Sequence, residues 1–288
     1  MEVLTVVIAS LLSLGSGGGV VLDKIVQGRI RSQIISVEQQ EVRIDNKPNY
    51  QAAQGKLDRV RIASRGVKIK PGLRIAEADL ETDRIELKLA ELSLNNLSAL
   101  RESLIRPATG ALRLMVTEQD LNQALQSPEM VAQLQKTLNR LIISKAGSTN
   151  IGYQLSNLQL RLLPANNLEL GFVLSRPKPS LSQGGSVGTS RRNLPSRELD
   201  ITLSLKIQIA KGKRVKIINL QGTVNDRPMS SRLLQGFAVG ISDRLDLNSL
   251  SADGILARIL QLEIDEDKLQ LVSFFRLETK MQKSSAEN

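Results

Sequence analysis

Near Val37 the hydrophobic period of this chain changes once, from helical to strand-like, and that change limits what the chain can fold into. Upstream, apolar residues fall at Leu22, Ile25, Val26, Ile30, Ile34 and Val37, the spacing of one helical face. Lys24, Arg29 and Arg31 lie off that stripe, and only Gly28 weakens the helix. Downstream, Val42/Ile44 and Leu57/Val60/Ile62 open strand-like runs that dominate the rest of the chain. The pattern predicts an α+β fold: a long N-terminal helix over residues 18–37, cradled by a large sheet.

Strands are expected at Val42–Asp45, Gly55–Ser64, Val67–Ile69, Leu73–Thr82, Ile85–Leu89 and Gly110–Val116. Asn46–Asn49 and Pro71-Gly72 read as turns. A short helix over Leu97–Ile105 stops before Pro107. Thr117 reads as an N-cap with Glu118 and Asp120 in the first turn, and Ser127-Pro128 opens a second helical stretch. The later half alternates again at Ile151–Leu163, Asn167–Ser175, Glu198–Ala210 and Arg214–Val224, with Lys211-Gly212-Lys213 as a hairpin link. Met229–Leu245 reads as helix, and Ile255–Ile264 with Lys268–Leu277 as a closing hairpin. No linker divides the chain, so residues 18–280 read as one domain, with a flexible basic loop at 176–196 and a disordered tail at 281–288.

Composition narrows the chemistry. Aromatics make up only 2% of the 288 residues, so the core must be built mainly from Leu, Ile and Val. Such an interior suits acyl chains as well as plain packing. His and Cys are both absent. This excludes Ser-His-Asp and Cys-His catalysis, zinc sites of the usual ligand set, disulfides and a lipid anchor on an N-terminal Cys. No catalytic, metal-binding or cofactor-binding motif stands out. The acidic triplet Asp265-Glu266-Asp267 lacks a calcium-loop pattern and sits where a hairpin must turn. Gly17–Gly19 lacks the Gly-Lys-Ser/Thr of a phosphate loop, and Gly184-Gly185-Ser186-Val187-Gly188 has no His to activate its serine.

The net charge of +10 is concentrated. Residues 176–216 hold ten Lys/Arg against two acids, a net of +8. Such a stretch suits an anionic membrane surface, at about 1 kcal/mol per cation near the headgroups. Nucleic acid is disfavoured, because basic grooves for single strands interleave aromatics that this chain lacks.

Residues 1–17 form an apolar leader. Val3–Leu14 has the length of a signal-peptide core, but the basic residues expected before it are missing. A membrane span of about 20 residues is reached only by including Gly15–Gly19. A weak anchor or monotopic hook is the preferred reading, with a cleaved signal and a soluble core helix as alternatives. If it anchors, Lys24, Arg29 and Arg31 favour a cytoplasmic body.

Several segments carry a family pattern: Val21–Val26 with Ile30–Ile34, Val42–Gln51, Gln54–Ala63, Pro71–Ile75 and Thr117–Pro128. In these the chain resembles the bacterial LmeA-like phospholipid-binding family over most of its length. The resemblance implies a tubular, BPI-like lipid-binding fold, with a long helix wrapped by a strongly twisted antiparallel sheet. It also implies a membrane-associated role in lipid maintenance or trafficking in the cell envelope.

The expected function is non-enzymatic binding of phospholipid or another membrane lipid in an apolar groove. Leu22, Ile25, Val26, Ile30 and Ile34 are the expected apolar contacts, and Arg29, Arg31, Lys213 and Arg214 the expected headgroup or membrane contacts. Two alternatives stand: a peripheral scaffold docking through its basic patch without a lipid cavity, and a carboxylate-based enzyme acting on lipid.

Overall fold

Where apolar residues alternate, a strand buries one face, and cross-strand register then decides which side chains share it. The computed structural model describes residues 36–70, 72–91, 97–136, 153–175, 198–232, 234–235, 238, 242 and 246–280. In chain order the elements are β1 (Gln39–Asp45), β2 (Lys56–Leu57), β3 (Arg59–Lys70), β4 (Leu73–Thr82), β5 (Ile85–Glu86), α1 (Leu97–Ser103), β6 (Ala108–Thr117) and α2 (Glu118–Leu125). Then follow β7 (Gln154–Leu163), β8 (Asn167–Ser175), β9 (Glu198–Ala210), β10 (Arg214–Val224), β11 (Arg227–Pro228), β12 (Ile255–Ile264) and β13 (Lys268–Leu277).

The α+β class holds, and the strands divide between two main sheets. One is six-stranded, in the order β1-β3-β4-β6-β13-β12; the other is five-stranded, in the order β11-β10-β9-β8-β7. Every pairing is antiparallel, and β2 with β5 forms a separate two-stranded ribbon. The larger core lies on the six-stranded sheet. Ile62, Leu80, Leu112, Ile255, Phe275 and Leu277 are almost fully buried there, beneath Leu100 and Leu104 at α1 and Leu250 of a 3-10 turn.

The two sheets meet along the edge strand β12. Ile259 N–H donates to Gly212 O in the β9–β10 turn (2.7 Å), and Ile264 N–H donates to Asn166 Oδ1 in the β7–β8 turn (2.7 Å). Asn166 O in turn accepts from Ile207 N–H (2.9 Å). Two hairpin turns of one sheet therefore satisfy part of the open edge of the other.

Strands β4, β8, β9, β10, β12 and β13 have the bounds that alternation predicts. Thr117 caps α2 as expected, its Oγ1 accepting Asp120 N–H at 3.1 Å. Three details differ. The run Ile85–Leu89 is split between partners: Ile85–Glu86 pairs with the two-residue β2, and Leu87 bridges Leu104 just after α1. The two strands expected at Gly55–Ser64 and Val67–Ile69 are largely one, β3, which passes Gly66 at φ 62°. Ser36 already bridges Lys68, so helix does not extend to residue 37. The rest of the predicted N-terminal helix, the 176–196 loop and the 281–288 tail lie outside the described residues.

Candidate functional site

The five-stranded sheet carries the strongest candidate site, an uninterrupted aliphatic face. Cross-strand partners align Leu155, Leu174 and Leu199 in one row, and Phe172, Ile201 and Val224 in the next. Leu160, Leu170 and Leu203 follow, then Leu162, Leu168 and Leu205, then Ile207 with Ile217 and Ile209 with Val215. The reverse face aligns polar groups, such as Arg161, Glu169, Ser204 and Gln221. An antiparallel sheet of this kind places one face against apolar material and the other in water.

Strict period two would not produce this face. On β7 the apolar residues step by three from Leu155 to Leu158, and on β10 by three from Ile217 to Leu220. At both steps the register shifts through a β-bulge, and an asparagine sits at positive φ: Asn157 at 54° and Asn219 at 52°. Asparagine enters the left-handed region more readily than other non-glycine residues. Each bulge absorbs one residue, so the aliphatic side chains on either side of it stay on one face.

One end of the face is closed by the chain after β11. Leu234 is buried against Leu174, Ile201 and Leu203, with Met229 packed beside them. Gly222 makes room for this: a Cβ there would lie 2.7 Å from Leu203, 2.8 Å from the Met229 sulfur and 3.0 Å from Leu234. Leu160, Leu168, Ile207, Ile209, Val215 and Ile217 remain partly accessible.

The outer edge of the sheet, β7, is held by polar side chains from helical turns. Leu162 N–H donates to Glu118 Oε2 (2.6 Å). Leu160 N–H donates to Asn122 Oδ1 (2.7 Å), and Asn122 Nδ2 donates to Leu160 O (2.8 Å). Gln126 Nε2 reaches Leu158 O (3.5 Å). In the helical segment 128–136, Gln135 accepts from Leu155 N–H (2.7 Å) and donates to Tyr153 O.

A concavity of about 440 Å³ lies on the outer face of the six-stranded sheet, lined in part by Glu41, Arg61, Asp79, Glu81, Ala111 and Arg113. Apart from Glu41, its acids are paired with arginines. Asp79 accepts from Arg65 (2.6 Å) and from Arg113 Nε (3.0 Å), Glu77 accepts from Arg113 (2.8 Å), and Arg61 lies 3.4 Å from Glu81. Asp79 holds the Arg113 guanidinium above its ordinary pKa, mainly by hydrogen bonding. Glu77, Asp79 and Glu81 therefore sit in arginine pairs. Among the described residues no three acidic side chains converge as metal ligands.

Lys213 and Arg214 lie at the β9–β10 turn, where it abuts β12. Lys213 O accepts Leu247 N–H (2.9 Å), and Arg214 Nε pairs with Asp246 (2.7 Å). The Asp246 carboxyl is held below its ordinary pKa, first by the Asn248 backbone N–H and then by Arg214. Leu22, Ile25, Val26, Ile30, Ile34, Arg29 and Arg31 lie outside the described residues. The aliphatic face was not among the expected contacts. Its signals in the sequence are the two three-residue steps and the asparagines within them.

Among the described residues no helix is long and apolar enough to cross a membrane. The family model described as LmeA-like phospholipid-binding matches residues 15–274. No curated protein and no solved structure gives a significant match.

Proposed function

Because the chain belongs to the LmeA-like phospholipid-binding family, we propose that it holds a phospholipid or related membrane lipid with the acyl chains against the aliphatic face of the five-stranded sheet. The family is a non-catalytic one, so the role is binding, and the general partner is membrane lipid. The observation that carries the proposed site is the row-by-row alignment of Leu, Ile, Val and Phe across β7 to β10, with polar side chains confined to the reverse face. Each acyl methylene buried there contributes about 0.8 kcal/mol. Eight to ten methylenes are then worth roughly 6–8 kcal/mol before ordering costs.

In this reading the stripe Leu22, Ile25, Val26, Ile30 and Ile34 forms the facing wall as an N-terminal helix, completing a tubular, BPI-like groove. Arg29, Arg31, Lys213 and Arg214 meet the headgroup. Arg214 uses Nε on Asp246 and keeps its remaining N–H groups for a phosphate. The physiological role is maintenance or trafficking of lipid in the cell envelope.

Native mass spectrometry of protein purified without detergent tests the reading. Lipid should copurify with the parent and be lost from Leu168→Asp and Ile217→Asp variants. Absence of lipid from the parent under every extraction condition would sink it.

A further inference from the structure

The edge strand β12 carries a feature that packing does not use. Ile255, Ala257 and Ile259 are buried, so Leu256, Arg258 and Leu260 share the opposite side and are all exposed. Leu256 is 46% and Leu260 64% accessible. A β-bulge between Ile259 and Gln261 leaves Leu260 without a cross-strand partner. Bulges at sheet edges commonly re-aim a side chain, and here the re-aimed side chain is a leucine in water.

Three cations lie in or beside this row. Ile259 N–H binds Gly212 O, so the Lys211-Gly212-Lys213 turn sits directly against β12, with Gly212 close to the Arg258 side chain. Lys211, Lys213 and Arg258 have no ion-pair partner among the described residues. Of the nearby acids, Asp246 pairs with Arg214 and Glu278 with Arg276, while Asp253 before β12 and Glu263 toward its far end are exposed at either side of the row. The unpaired acids of the β12–β13 turn, Asp265 to Asp267, lie at the far end of the strand.

Two projecting leucines with unpaired cations between and beside them match an anionic bilayer in both respects. The leucines enter the acyl boundary while lysine and arginine stay at the phosphates. We propose that the Leu256-Arg258-Leu260 row, with Lys211 and Lys213, is the surface by which the protein docks on an anionic lipid bilayer. This rests on the lipid-binding reading in one respect only, that a lipid carrier must meet a membrane to load or release its cargo. The acidic turn at the other end of β12 sets the orientation, with Leu256 and Leu260 toward the bilayer.

The chain has no tryptophan, so Leu260→Trp supplies a single reporter at an exposed position. Its emission should shift to the blue on adding vesicles of equal parts phosphatidylglycerol and phosphatidylcholine, and not with phosphatidylcholine alone. The double variant Leu256→Ser/Leu260→Ser should sediment with the mixed vesicles about tenfold more weakly (~1.4 kcal/mol), while its melting temperature and copurified lipid match the parent. Leu89→Ser/Ile105→Ser, which also removes two exposed apolar side chains, should bind as the parent does.

The proposal is overturned if the tryptophan emission does not move, if the β12 double variant binds vesicles like the parent, or if the Leu89/Ile105 variant loses binding instead. It is equally overturned if the β12 double variant loses its copurified lipid, or if it merely dissociates a dimer of the parent. A parent that carries no lipid but still sediments with the mixed vesicles, with Leu260→Trp still shifting, would refute the lipid-binding face and leave the docking surface standing.

Discussion

Asn122 on α2 and Leu160 on β7 exchange two hydrogen bonds, the side-chain amide taking the place of a neighbouring strand. The geometry recurs because two periods match. Four helical residues rise about 6.0 Å, and two strand residues advance about 6.6 Å. Glu118, Asn122 and Gln126, four apart on the helix, therefore meet Leu162, Leu160 and Leu158, two apart on the strand. An edge that would otherwise offer free N–H and C=O groups is closed by side chains.

Asn122→Ala should leave both Leu160 backbone groups without their partner and cost about 1–3 kcal/mol. Urea denaturation of the purified protein measures this. Asn122→Gln, with a longer arm, should recover only part of the loss. A midpoint equal to the parent's in Asn122→Ala would mean that water replaces the amide at no cost.

Arg74 joins two acids from different elements: Glu38 (3.1 Å at both oxygens) and Asp120 (3.2 Å), whose side chain is 6% exposed. Arg74→Ala removes the cation from the buried Asp120 carboxylate, which keeps the Thr117 hydroxyl (2.7 Å), at about 3–5 kcal/mol. Arg43→Ala breaks only the exposed pair with Asp45 and should cost less than about 1 kcal/mol. Equal effects in thermal melts would contradict this ordering.

Stability should fall on the acid side. Hydrogen bonding to Arg74 lowers the folded-state pKa of Glu38 below its ordinary 4.5, and Arg43 does the same for Asp45 from 3.8. A lowered carboxylate contributes stability above its unfolded pKa and loses it as pH falls through the folded one. Melting temperature should therefore drop progressively below about pH 4.5, and Glu38→Gln should flatten the first part of that drop. A parental slope in Glu38→Gln would exclude Glu38 as a contributor.

The bulge asparagines should tolerate glycine and reject β-branched residues. Asn219→Gly preserves access to positive φ, whereas Asn219→Val places a branched side chain there at about 1–2 kcal/mol. Denaturation midpoints of the two variants, with Asn157→Gly and Asn157→Val as a second pair, provide the comparison. Asn219→Val at or above Asn219→Gly would contradict the strain argument.

Two strand glycines should respond oppositely. A Cβ on Gly110 would lie 2.6 Å from Glu81 O and 2.7 Å from the Phe275 ring, while one on Gly171 meets nothing within 4 Å. Gly110→Ala should destabilise by about 1–3 kcal/mol, and Gly171→Ala should be neutral or raise stability by up to about 1 kcal/mol. The two thermal midpoints, measured side by side, decide it.

Much of the fold is legible in the sequence because turn chemistry and alternation act locally. Thr117 with its acidic first turn, and Lys211-Gly212-Lys213 between alternating strands, are where expected. The division into two sheets is not local. It depends on which strands pair across long separations, such as β6 with β13, and on two turns seating against β12. The aliphatic face escaped for a different reason. Leu155/Leu158 and Ile217/Leu220 break strict alternation, and only the cross-strand register shows that the break keeps the face intact.

The bulges at Asn157 and Asn219 make the greasy surface of the five-stranded sheet a matter of counting as well as of hydrophobicity. Removing Asn219 would take the bulge away together with the residue it absorbs, leaving Ile217 and Leu220 two apart and the face whole. Removing Lys216 instead would leave every leucine, isoleucine and valine in the chain, yet reverse the parity of β10 upstream of the gap and turn Val215 toward the side that carries Gln221 and Ser204. A deletion that subtracts no aliphatic side chain would thus trim the oily surface, while another in the same strand would spare it. Frame along the strand is therefore a heritable property of this surface, one that composition alone does not record.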